Sequence, residues 1–446
     1  MSSKQIVVGL LGLGTVGSGM MHILTHHKEK LQTKTGAEEI IVRKVLVRDP
    51  HKERDQRIAI EQFTTDGQEV VTDPDIDIII EVMGGIDEAK KLIETALNQG
   101  KHVVTANKDL LALHGEELLK KAQENNCLLL YEASVAGGIP ILRTLNEGLV
   151  ADHITKMIGI VNGTTNYMLT KMSKEDLTYD EALKEAQEKG FAESDPTADV
   201  GGLDAARKMV ILSRLGFSES IDLDRVYVRG MTGVAPEDID YGKQLGFTMK
   251  LIGLASRNEG ELEVSVEPVF VPNDHPLASV NDEYNAVYVY GEAVGETMFY
   301  GPGAGSLPTA SAIASDFVNV ARHVISRGSS RIDTSVVKRA TVKEVDDVEA
   351  KFYVRLYAQD VRGAFKTITS QFTAHGVSFE KLMQSPLDTE EKIAEVVIVT
   401  HETTRGVFDQ LIDELNGLNV VDKVMNHYRV EGGVVNVLEE QDIAIV

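Results

Sequence analysis

Asp204 and Lys208 stand four residues apart at the end of an acidic, Gly/Pro-rich stretch that also carries Gly190, Glu193, Asp195 and Asp199. On a helix that spacing sets an ammonium beside a carboxylate on one face. A lysine so placed and shielded from water can exchange a proton with a reacting oxygen. The same spacing also describes an ordinary surface ion pair contributing about 0.3 kcal/mol, and spacing alone favours that plainer reading. A second cluster, Gly12-Leu13-Gly14-Thr15-Val16-Gly17, has the pattern G-x-G-x-x-G. Its glycines allow a tight turn and close approach of backbone to a pyrophosphate, whose charge a helix N-terminus stabilises. A ligand-free turn would look similar in isolation. The β-branched run before it and the helical stretch after it favour the dinucleotide reading.

Cofactor choice is read where the second strand ends, at Val47-Arg48-Asp49. An acidic residue there bonds the ribose 2′-hydroxyl of NAD, whereas an arginine accepts the 2′-phosphate of NADP. Arg48 and Asp49 pull in opposite directions. The expectation is use of either cofactor, with some preference for NADP.

The elements that must position these residues follow from the hydrophobic pattern. Strands are expected at Ile6–Leu11, Ile40–Val47, Ile76–Glu81 and His102–Thr105, with helices at Val16–Leu31, Ala89–Gln99 and Gly115–Asn125 and an apolar run at Cys127–Glu132. Strands alternating with helices mean a parallel sheet with crossover helices. From about residue 150 the pattern becomes mixed α+β: a strand at Ile154–Val161, helices at Tyr179–Lys189 and Leu203–Leu215, then strands at Leu262–Phe270, Ala286–Glu292 and Glu296–Tyr300. The glycine-rich segment 301–305 opens a helix at Ala310–Ile325. Residues 328–350 are polar and read as a linker. Beyond it the order βαββαβ, from Lys351–Ala358 to Val420–Val430, predicts a ferredoxin-like unit. The expected fold class is thus α/β: a Rossmann domain over 1–133 with a return helix at about 305–327, a catalytic and dimerisation domain over 134–327, and the ferredoxin-like unit over 351–432.

Composition narrows the partners. Of 446 residues, 69 are Asp or Glu and 45 Lys or Arg, a net charge of −24. Nucleic acid or an anionic membrane surface needs clustered positive charge, so neither is expected as a partner. No apolar run approaches the roughly 20 residues of a membrane-spanning helix, and the opening residues lack a signal-peptide pattern. A cytoplasmic protein is expected. The one cysteine, Cys127, rules out an internal disulfide and a cysteine-based zinc site.

Five motifs occurring together, Gly9–Gly17, Ala106-Asn107-Lys108, Glu132–Pro140, Asn162–Asn166 and Glu193–Lys208, resemble homoserine dehydrogenase over about residues 5–327. The tail resembles an ACT domain, an amino-acid-sensing module. The resemblance implies hydride transfer between homoserine and aspartate 4-semialdehyde on the route to threonine and methionine. It implies Lys208 as proton donor, Asp204 as its substrate- or water-orienting neighbour, and Glu193 with Gly190 at the substrate's amino end, with Asp199 in the same loop. Gly12–Gly17, Arg48, Lys108 and Gly305 would contact NAD or NADP. Glu132, Val135, Gly137 and Ile139 would wrap a monovalent cation, Na+ or K+, through backbone oxygens. The tail would bind an effector, threonine, near Asp360, Gly363 and Ala364, and the chain would form a homodimer or homotetramer.

Two rival readings remain. A phosphorylating dehydrogenase acting on the same semialdehyde needs a thiolate, and Cys127, heading an apolar run, reads as a core residue. A sensing protein with an inactive dinucleotide domain would be expected to have lost Lys208 or its acidic loop, and both are present.

Overall fold

The computed structural model of the chain describes residues 5–52, 59–326, 338–388 and 392–432. It divides into two compact units: Met1–Met157 with Asp204–Val226 and Tyr284–Ala340, and Ile158–Leu203 with Tyr227–Glu283 and Thr341–Val446. These units follow packing, and they cut the chain at other places than the functional boundaries expected near 133 and 350.

The first unit is built on six parallel strands: β1 (Gln5–Leu11), β2 (Glu39–Leu46), β3 (Phe63–Thr64), β4 (Ile78–Glu81), β5 (His102–Thr105) and β6 (Leu129–Leu130). Their order is β3-β2-β1-β4-β5-β6, that of a Rossmann sheet. Ile78, Ile79 and Ile80 are all fully buried, as a strand covered on both faces requires. Each such side chain contributes roughly 1.5–3 kcal/mol by leaving water. The helices Thr15–His26 and Ser306–Ile325 share one core with β1 and β4, through Met20, Ile313, Phe317 and Val320.

Several elements differ from the sequence expectation for local reasons. The helix expected over Val16–Leu31 breaks at His27, and Lys28–Thr35 forms a second helix closed by Gly36 at φ 78°. The helix expected from Gly115 begins seven residues earlier, at Lys108, because the Asn107 side chain caps it by accepting the Leu110 N–H at 3.1 Å. The run Cys127–Glu132 yields only the two-residue β6, since Glu132 enters a tight 3₁₀ turn. Of the expected linker, residues 328–337 lie outside the described residues, as does residue 327 of the expected return helix. Lys338–Arg339 pairs in parallel with Glu219–Ser220.

The second unit carries a mixed sheet of β7 (Phe247–Asn258), β8 (Glu261–Pro272), β9 (Glu349–Gln359), β10 (Phe379–Asp388), β11 (Ile393–Thr400) and β12 (Val421–Val430), in the order β7-β8-β12-β9-β11-β10. With the helices Ala364–Ala374 and Arg405–Asn416, the last four strands follow βαββαβ, and their pairings with one another are all antiparallel. Phe352, Val354 and Leu356 of β9 pack with Phe372, Phe408 and Leu411 from those two helices. β12 also runs parallel to β8, matching Arg429 to Val269. Neither β7 nor the helix Gly163–Lys174 was expected from the sequence. Lys250 and Gly253 interrupt the apolar run of β7, and the helix starts on polar residues.

A buried polar knot ties the tail strands to the helix Pro236–Gln244. Asp238, fully buried, accepts from Arg355 Nε at 2.5 Å, Asn426 Nδ2 at 2.6 Å, Tyr353 OH at 3.1 Å and Tyr428 OH at 3.2 Å. Arg355 also reaches Glu395 at 2.8 Å.

Candidate active site

The fingerprint turn leaves β1 at Gly12, which has φ 102° and donates its N–H to Leu46 at the end of β2. A Cβ on Gly12 would lie 2.8–2.9 Å from the backbone of Val82 and Met83, just past β4, so only glycine fits this closure. Gly14 caps the helix Thr15–His26 with no side-chain hydrogen bond, no acidic residue in the first turn and open space where a Cβ would stand. The N-terminal amides of this helix therefore face an open approach suited to a pyrophosphate. A second helix N-terminus arrives beside it. Gly305, at φ 113°, caps Ser306–Ile325, and Ser306 Oγ donates to the Thr15 carbonyl at 2.7 Å. At the end of β2, Arg48 is exposed, while the Asp49 carboxylate accepts the His51 N–H of its own loop at 2.8 Å.

The turn continues into a network at the carboxyl ends of β4 and β5. Glu81, fully buried, accepts the Thr105 hydroxyl at 2.6 Å and the N–H groups of Met83 and Gly84 at 2.9 and 3.2 Å. Burial raises its carboxyl above the usual carboxylate range, against the pull of those donors. Thr105 accepts the Asn107 N–H, and Asn107 Nδ2 donates to the Gly85 carbonyl at 2.7 Å. Sequence reasoning did not single out Glu81 or Thr105. The signal was a carboxylate at the end of an Ile-Ile-Ile run.

Lys108 opens the helix that Asn107 caps, and its Nζ lies 3.3 Å from Asp204 Oδ1. Lys208 Nζ donates to Asp204 Oδ2 at 2.7 Å. One carboxylate thus bridges two ammonium groups. The side chains of Lys208 and Asp204 are 11% and 8% exposed and that of Lys108 34%, so the pair is shielded yet reachable. Arg207, 3.1 Å from Asp109, straps the same two helices one residue along. Gly12, Met83 and Gly85 follow the carboxyl ends of β1 and β4, Asn107 and Lys108 that of β5, the ends at which open α/β sheets hold their ligands, and Lys108 ties them to Asp204 and Lys208. Asp204 with Lys208 was expected together; the approach of Lys108 was not.

In the second unit, Gly190 has φ 78° and open space around it, and Glu193 and Asp195 are exposed. Asp199 is held: Asn162 Nδ2 donates to its Oδ1 at 2.7 Å. Asn162 also caps Gly163–Lys174 by accepting the Thr165 N–H at 2.9 Å.

The loop 132–139 turns through Ala136 and Gly137, both at positive φ, and Gly137 is packed so closely on Gly303 that no side chain fits. The Glu132 carboxylate accepts the N–H groups of Leu142 and Arg143 at 2.9 and 2.8 Å. Among the described residues no hydrogen bond ends on the carbonyl oxygens of Val135 or Gly137, whereas that of Ile139 accepts from Ile141. Two turned carbonyls with unused lone pairs fit a hard cation. No group of three or more His, Cys, Asp or Glu is placed to hold a metal among the described residues, so such a cation would rest on backbone oxygens.

In the tail, Gly363 at φ 91° caps Ala364–Ala374 without a side-chain bond, Asp360 is exposed and Ala364 is buried. Cys127 is buried, and burial pushes its thiol up to about 11, which leaves almost no thiolate at neutral pH. No helix among the described residues is long and apolar enough to cross a membrane.

Comparison with known proteins gives two family matches, homoserine dehydrogenase NAD binding domain over residues 12–132 and homoserine dehydrogenase over 140–318. The homoserine dehydrogenase of Bacillus subtilis is 53% identical over 431 residues, covering 96% of this chain and 99% of its own. The crystal structure of a homoserine dehydrogenase from Thiobacillus denitrificans superposes with a TM-score of 0.90 at 37% identity, covering 96% of this chain and 98% of its own. A hyperthermophilic archaeal homoserine dehydrogenase, solved in complex with NADPH, matches at 27% identity and a TM-score of 0.62, covering 74% of this chain and all of its own.

Proposed function

The chain belongs to the homoserine dehydrogenase family of NAD(P)-dependent oxidoreductases, and on that premise we propose that Lys208 moves the proton in its reaction. The observation that carries this is the Asp204 carboxylate, which holds the Lys208 ammonium at 2.7 Å and meets Lys108, three residues past the end of β5, at 3.3 Å. When bound, the nicotinamide accepts hydride from homoserine or delivers it to aspartate 4-semialdehyde. The substrate oxygen becomes a carbonyl or an alcohol accordingly, and a proton must leave or arrive. Lys208 donates it in reduction and accepts it in oxidation. Asp204 orients Lys208 and the substrate. Lys108 shares that carboxylate and stands at the nicotinamide end, where its charge stabilises a developing alkoxide.

The glycines 12, 14 and 17, with Leu13, Thr15, Val16 and Gly305, hold the cofactor's pyrophosphate and its surroundings. The exposed Arg48, beside an Asp49 already engaged by its own loop, supports acceptance of a 2′-phosphate and a preference for NADP. Gly190, Glu193 and Asp199 receive the amino end of homoserine, for which an exposed carboxylate at Glu193 is suited. The loop Glu132, Val135, Gly137 and Ile139 takes Na+ or K+ on backbone oxygens. Such an ion would stiffen the loop. We read 351–432 as an ACT domain on its strand order, with threonine as the effector at the helix start near Asp360, Gly363 and Ala364, where Gly363 caps without a side chain. The protein would then act as a regulated dimer or tetramer in threonine and methionine synthesis.

One assay tests this: initial rates with homoserine and each oxidised cofactor, with and without threonine. The expected result is homoserine-dependent reduction of both cofactors, a higher kcat/KM with NADP+, and a rate changed by threonine. Absence of homoserine-dependent reduction with either cofactor would refute the reading.

A further inference from the structure

Lys250 lies on β7 of the second unit, opposite Val269 of β8, and is 1% exposed. A lysine is almost never this buried without a specific demand on its ammonium. Its Nζ donates to Asn166 Oδ1 at 3.1 Å and to the Val280 carbonyl. Asn166 in turn donates its Nδ2 to the carbonyls of Val280 and Asp282 at 3.2 and 2.9 Å. The amide of Asn166 is therefore fixed on both sides. Burial pulls the Lys250 ammonium down to about 7, with Lys174 adding to the effect and Asp282 opposing it. That cost is borne at one point on the helix Gly163–Lys174, its first turn. Asn162 stands one turn earlier on the same helix end and holds Asp199 at 2.7 Å.

We propose that Lys250 is a positioning residue for the acidic loop: by clamping Asn166 it fixes the first turn of Gly163–Lys174, so that Asn162 presents Asp199, and with it the loop 190–199, in one orientation. This rests on the reading of that loop as the holder of homoserine's amino end. Lys250 touches neither substrate nor cofactor in this account. It acts through two asparagines: Lys250 to the Asn166 side chain at 3.1 Å, the Asn166 N–H to the Asn162 carbonyl at 3.3 Å, and the Asn162 side chain to Asp199 at 2.7 Å.

The test is a double-mutant cycle on the full chain. Lys250→Met keeps length and apolar stem but removes the donors. Asn162→Ser keeps a helix-capping oxygen but removes the amide that holds Asp199. Each single variant is expected to raise KM for homoserine about tenfold, the effect of losing one buried charge-assisted hydrogen bond, with kcat within about twofold and KM for the cofactor unchanged. If both act along one chain, the double variant is no worse than the worse single one. Full multiplication of the two effects, or a homoserine KM that Lys250→Met leaves unchanged, would overturn the proposal. Should Lys250→Met fail to fold, Asn166→Ser, which removes the amide that Lys250 clamps, takes its place in the cycle, and a homoserine KM left unchanged by it overturns the proposal. Glu193→Gln separates this inference from the reading beneath it. If that variant leaves KM for homoserine unchanged, the loop reading has failed; if it raises KM while the cycle shows no coupling, only the positioning chain has failed.

Discussion

Each unit contains a carboxylate that gathers several polar partners, and the two sets differ in kind. Asp238 accepts four donors from Arg355, Tyr353, Asn426 and Tyr428, with Arg355 and Asp238 only 2% and 0% exposed. Burial raises Tyr353 and Tyr428 far above the usual phenol range, and the paired carboxylates raise Arg355 despite its burial. Neither the two phenols nor the guanidinium changes its proton near neutral pH. Asp204 instead holds two lysines, Lys208 in a shielded pair and Lys108 a third exposed. Lysine, unlike arginine, can give up its proton. On the proposed function, access and the choice of lysine, and no count of salt bridges, set the Asp204 cluster apart from the Asp238 one.

The largest effect that could break this contrast is on turnover. Lys208→Ala should lower kcat by about a thousandfold, within the range removed with a general acid, while cofactor affinity measured by fluorescence titration stays within about threefold. Survival of turnover within a few-fold would put Lys208 on the same footing as Arg355. The contrast sharpens in stability. Asp238→Ala leaves Arg355 buried without its main partner and should cost about 3–5 kcal/mol, read as an earlier urea midpoint. Asp204→Asn keeps its shape beside lysines that solvent can reach and should cost less than about 1 kcal/mol by the same measurement while slowing turnover. Equal losses of stability in the two variants would erase the distinction.

The sequence made half of this contrast visible. The i, i+4 spacing of Asp204 and Lys208 is a local property of one helix, and so is the glycine pattern of 12–17. Both are legible because neither depends on a distant partner. Lys108 reaches Asp204 across 96 positions of chain, and Asp238 meets Arg355 across 117. No periodicity encodes such a meeting. The first sheet was readable in outline because Ile78-Ile79-Ile80 and its neighbours are continuous apolar runs. β7 was not, because Lys250 interrupts its apolar run, and a buried lysine looks like a solvent-facing one until its partners are seen. The helix Lys108–Glu124 lost its first two turns for a related reason: its start is set by the Asn107 cap, which apolar spacing does not register. The βαββαβ order of the tail was fully legible. Its parallel edge with β8, set by the match of Arg429 to Val269, was not.

The most direct test of Lys208 as the proton-transferring group is the structure of the ternary complex with cofactor and homoserine. The account predicts the Lys208 Nζ within about 3 Å of the homoserine hydroxyl oxygen, with Asp204 still holding it from the other side. A hydroxyl bonded to another side chain, with the Lys208 nitrogen more than about 5 Å away, would contradict it.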